Sequence, residues 1–141
     1  MVRSNMANHV AEIPPADQPA VACTPNLSGA GRRLRKRIGI ALIFVTVLLL
    51  IGLVSGGVPW RWRLWLGLPV ALTTLSFLQV LRNTCVARAV DGTFEGDDFS
   101  RVRVSDVQAA ASRRVAMTIG RDALLVGVAG GLLGAATALI R

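Results

Sequence analysis

Cys85 is the residue best placed to do chemistry in this chain. Arg82 stands three positions before it and Arg88 three after, which are its neighbours on a helix surface. Cations beside a sulfur favour the thiolate, the form that attacks and is oxidised, so Cys85 is the candidate reactive thiol. Cys23 is the other cysteine and His9 the single histidine, and with so few soft ligands no tetrahedral metal set can be assembled. Glu95, Asp97 and Asp98 lack the spacing of a calcium loop and read as a solvated turn. No Ser-His-Asp set, phosphate-binding loop or pair of acids inside an apolar stretch occurs. The expectation is a protein without catalytic residues, metal or cofactor, and not an enzyme.

A second pattern concerns contact rather than reaction. Gly127, Gly131 and the adjacent row Gly130, Gly134 form two interleaved small-xxx-small motifs, and Gly52 and Gly56 form a shorter one. In lipid such faces let helix backbones approach closely and gain dispersion and weak Cα–H···O contacts. The partner face is either another helix of this chain or a second protein. Trp60, Trp62 and Trp65 cluster in one short link, the composition of an anchor at a membrane–water interface.

These residues are carried by three apolar stretches, about 38–58, 64–81 and 123–140. A hydrocarbon core about 30 Å thick needs roughly 20 residues of helix. Continuous apolar runs do not resemble the alternating strands of a barrel, so the expected fold class is an all-α membrane protein with three transmembrane helices. Pro14, Pro15, Pro19 and Pro25 mark residues 1–30 as a disordered tail, leaving 31–141 as a single three-span domain with a polar loop over 91–105. Within that loop Phe99–Val104 alternates, which would suit a small hairpin. The second helix is expected to run on through Arg88 until Asp91-Gly92 stops it. Ser105 with Gln108 three residues on is a capping box. It opens an amphipathic segment, about 106–122, with Val107, Ala111, Val115 and Ile119 in one row, leading into the third span. Pro69 falls early in the second span, where few helical N–H groups are lost. Gln79, near that span's end, is expected to bond a neighbouring helix.

Charge orients the molecule. The formal net charge is +8, but the basic residues flank the apolar runs instead of lining a soluble face, and no nucleic-acid motif accompanies them. Nucleic acid is therefore not an expected partner. Arg32, Arg33, Arg35, Lys36 and Arg37 precede the first span, and a second large group lies between spans two and three; together with Arg3 these hold 13 of the 16 basic residues. The positive-inside rule then puts the N-terminus in the cytoplasm and the C-terminus outside, with the anionic cytoplasmic leaflet as the partner of the arginines. The first run is too long for a signal peptide and lacks a cleavage site, so it reads as an uncleaved anchor. The preference for arginine over lysine suits a GC-rich bacterial genome, hence a bacterial inner membrane.

Arg37-Ile38, Pro59-Trp60-x-Trp62, Leu68-Pro69 and Asn83-Thr84-Cys85 resemble the small two-span inner-membrane domain associated with bacterial rhodanese-type sulfurtransferases, over residues 34–86. The resemblance implies a two-span core and a sulfur-handling context. That family carries a Cys-Pro pair near the end of its second span, where this chain has Phe77-Leu78-Gln79-Val80. Three functions are expected in order: an accessory or assembly component working through helix contacts, with the third span meeting a second copy or another membrane protein; a sulfur-handling or redox-sensing protein using Cys85; and a small transporter or pore subunit.

Overall fold

The computed structural model describes residues 26–139. His9, Cys23 and most of the expected tail lie outside them. The tail's last residues are ordered: Asn26, Leu27 and Ser28 are buried, and the Ser28 hydroxyl accepts the Gly31 N–H at 3.0 Å, starting the first helix, α1 (Gly29–Ser55).

α1 ends in a glycine turn. Gly57 takes a left-handed φ of 63°, and Val58 N–H reaches back to Leu53 O at 3.2 Å while Gly57 N–H reaches Val54 O. This double closure satisfies carbonyls the helix end would leave bare. A second helical rod follows as α2 (Trp60–Arg63), a 3-10 turn (Leu64–Leu66) and α3 (Gly67–Leu81). It starts four residues earlier than the sequence suggests. Its tightened turn has a cause in Pro69, whose ring would meet the carbonyl of Trp65 four residues back in a regular helix.

α3 does not continue to Arg88. Asn83 adopts φ 48°, and Thr84 N–H closes on Gln79 O at 3.0 Å. Asparagine tolerates this left-handed closing position. The chain restarts as α4 (Val86–Asp91), which ends as expected at Gly92, φ 66°. The expected loop then contains a hairpin, β1 (Thr93–Glu95) against β2 (Arg101–Arg103), antiparallel with Phe94 opposite Val102.

Ser105 accepts the Gln108 N–H and opens α5 (Asp106–Ala136). The amphipathic segment and third span are thus one unbroken helix of 31 residues, about 46 Å long. It outruns a hydrocarbon core by about 16 Å. The expected row is met only at its end: Ile119 is fully buried but Val107 is 80 % exposed, and the buried stripe runs through Ala109, Ser112, Ala116, Ile119, Ala123, Gly127, Gly131 and Gly134. Apart from Ile119 the stripe is made of small residues, because the neighbouring backbone lies so close.

Three helical segments, Gly29–Ser55, Trp60–Leu81 and Asp106–Ala136, are long and apolar enough to cross a membrane. α3 is central: α1 and α5 both pack against it and barely touch each other. At the arginine-rich end, α4 packs against α5 and the hairpin packs on α4 through β1, forming a small cap.

Candidate functional site

The cap is built around Cys85. Its thiol is 2 % exposed, and the helix break just before it places it in extended backbone at the start of α4. Asn26 grips its backbone twice: Cys85 N–H donates to Asn26 Oδ1 at 2.6 Å, and Asn26 Nδ2 donates to Cys85 O at 3.2 Å. The cation at the sulfur is Arg35, whose Nη2 lies 2.7 Å from Sγ. This corrects the expectation from spacing. Once α3 ends at Leu81, Arg82 and Arg88 are no longer helix neighbours of Cys85. Arg82 instead pairs with Asp122 at 2.9 Å, and Arg88 turns to Glu95.

Arg35, one of the charges read as topogenic, is thereby the hub of the cap. Its Nε donates to Gln79 Oε1 at 2.9 Å and its Nη1 to Gly31 O at 3.3 Å. Gln79 Oε1 also accepts Val86 N–H at 3.4 Å, so this side chain joins α1, α3 and α4. Arg32, Arg33, Lys36 and Arg37 stay exposed.

Glu95, 3 % exposed, sits between two arginines: Arg35 Nη1 at 3.5 Å and Arg88 Nε at 3.6 Å. Ser28 Oγ donates to the same carboxylate at 3.5 Å. The first turn of α1 has no acid of its own and is followed by five basic residues. Glu95 supplies the negative charge that a helix N-terminus favours, from a strand remote in sequence. Gly31 permits this, because a β-carbon there would collide with the Glu95 carboxylate. Two buried polar atoms, Arg88 Nη1 and Thr93 Oγ1, lack a protein partner. Asp98, in the hairpin turn, is held below the usual carboxylate range by the Ser100 side chain and by the Ser100 N–H at 3.0 Å. Among the described residues no group of acidic, histidine or cysteine side chains could hold a metal ion.

The glycine seam lies within the chain. A β-carbon on Gly127 would come within 2.6 Å of Ala71 Cβ, on Gly131 within 2.7 Å of Leu64 O, and on Gly134 within 2.8 Å of Leu66 Cδ1. Gly130 faces Val70. The seam is thus closed by the second rod, and the third span's glycines are already occupied. Gly52 is the contrast: nothing lies within 4 Å of its β-position, and Gly56 meets only its own helix end.

Trp60, Trp62 and Trp65 are all more than half exposed at the other end of the molecule. There Arg63 is 2 % exposed, its Nε donating to Val58 O at 2.9 Å and its Nη1 to Thr137 Oγ1 at 2.8 Å. Val58 follows the end of α1 and Thr137 caps α5, so this buried side chain ties the two helix ends together. Thr73, Thr74 and Ser76 bond back to carbonyls one turn earlier, at 2.8–2.9 Å.

Sequence reasoning identified Cys85, Gln79, the tryptophans and the glycines. It missed Asn26, Arg35 and Glu95. Ser28 ahead of a helix was a legible cap; the reach of Glu95 across more than sixty residues had no local signal. Comparison with family models, with curated proteins and with solved structures finds no match for this chain.

Proposed function

We propose that this protein is a multi-pass component of a bacterial inner membrane, working as an accessory or assembly element through helix contacts. The observation that carries the reading is the state of α1. It is apolar enough to span, yet Phe44, Leu48 and Ile51 are each more than half exposed and Gly52 opens onto empty space. The contact surface is therefore assigned to α1, in place of the third span. Its partner is a second copy or another membrane protein, with anionic headgroups around Arg32, Arg33, Lys36 and Arg37. The test is crosslinking in native membranes from Gly52→Cys combined with Cys23→Ser. A discrete adduct supports the reading; a chain that stays monomeric and unadducted under oxidising and bifunctional reagents overturns it.

A second reading has one contact in its favour, the Arg35 guanidinium 2.7 Å from the Cys85 sulfur. Cations beside sulfur are the setting of reactive cysteines. Under this reading Cys85 handles or senses a sulfur species. Alkylation of Cys85 faster than Cys23 near neutral pH supports it, and slower or equal labelling rejects it.

A further inference from the structure

Asn26 is where the N-terminal segment meets the cap. It is 3 % exposed and fixed by three hydrogen bonds. Its side chain accepts Cys85 N–H at 2.6 Å and donates to Cys85 O at 3.2 Å, and its own carbonyl accepts Glu95 N–H at 3.1 Å. Cys23 stands three residues before it. Resting on the sulfur reading of Cys85 above, we propose that Cys23 and Cys85 are a reversible redox pair, whose disulfide fastens the segment before α1 to the α3–α4 junction.

Cys23 lies outside the described residues, and the covalent chain bounds its reach. Three residues span at most about 11 Å. Cys85 touches Asn26 directly and so lies inside that radius. A disulfide needs α-carbons about 4.4–6.8 Å apart, well within it. Cys85 is a free thiol and buried, which hides it from a dissolved oxidant and leaves it open to a sulfur carried by the adjoining chain. Arg35 Nη2, 2.7 Å from Sγ, sets a positive charge beside the attacking sulfur. The oxidant is a small disulfide such as oxidised glutathione. The Cys23 sulfur attacks it, its S–S bond breaks, and one glutathione leaves with the Cys23 proton. The Cys85 sulfur then displaces the second glutathione from Cys23, and its proton goes to that leaving thiol. The chain loses two electrons and two protons, and the small disulfide becomes two thiols. Under the charge reading the cap is cytoplasmic, where the disulfides that do form are transient and sensing.

The full chain in phosphatidylcholine vesicles is equilibrated without oxygen in mixtures of reduced and oxidised glutathione. Mass spectrometry after alkylation gives the fraction with Cys23 joined to Cys85, and hence the effective concentration of one thiol at the other. The comparison chain carries Cys23→Ser with Val10→Cys, which lengthens the tether from three residues to sixteen and alters no described residue. Effective concentration falls roughly as the −3/2 power of tether length, so the natural pair is expected to exceed the comparison roughly tenfold. Asn26→Ala should remove most of that advantage, with a melting curve to show that the chain still folds. Equal effective concentrations in the natural and comparison chains overturn the pair. So do products limited to mixed disulfides with glutathione or to links between two chains. In those cases faster alkylation of Cys85 than of Cys23 leaves the sulfur reading standing, and slower alkylation removes both.

Discussion

Glu95 shows how much one side chain can hold. It is almost fully buried, answers Arg35 and Arg88, and supplies charge at the start of α1. Breaking a buried pair leaves an uncompensated charge, which is far costlier than never having built the pair. Glu95→Gln should therefore destabilise the cap by about 3 kcal/mol, the low end for such a loss because neither arginine is sealed from solvent. Thermal unfolding in detergent checks this, and an unchanged transition would refute it. Asp98 gives the pH counterpart. Its carboxyl is lowered by Ser100, so the folded form favours the carboxylate. That contribution is complete above the ordinary aspartate value and is lost as pH falls through the lowered one. An NMR titration should find Asp98 titrating below a Ser100→Ala variant. At this scale Cys85 was legible as the chain's one special thiol. Its cation was not, since Arg35 lies fifty residues away and reaches it only because α1 packs on α3.

Among the elements, glycines that look alike in sequence have opposite roles. Gly131 and Gly52 both sit in small-xxx-small patterns, but the first touches the Leu64 backbone and the second touches nothing. Gly131→Leu should force α5 away from the second rod and abolish the folded monomer, whereas Gly52→Leu should change stability by no more than about 0.5 kcal/mol. Size-exclusion profiles and melting curves of the two variants distinguish the roles; equal behaviour would contradict the packing described. Helix ends were only partly readable. Gly92 and Ser105 signalled their turns through residue type. The break at Asn83 was missed because asparagine is an ordinary residue in most positions and a helix terminator only where the backbone turns left-handed.

At the scale of the molecule, one end is arginine-rich and carries a folded cap, and the other carries three exposed tryptophans. The positive-inside rule predicts a cytoplasmic cap. In intact cells an impermeant maleimide should label Arg61→Cys directly and Gln108→Cys only after permeabilisation; the reverse pattern would invert the topology. By itself the sequence determined three apolar helices, the closure at Gly92, the helix start at Ser105 and the sorting of charge. Those follow from local composition and backbone preference, and each is expressed within a few residues. Tertiary structure alone decided that α3 is central, that the third span's glycines are spent inside the chain, and that Arg35 and Glu95 converge around Cys85. These depend on which helices lie side by side, and that is settled by backbone approach and charge pairing between residues far apart in the chain.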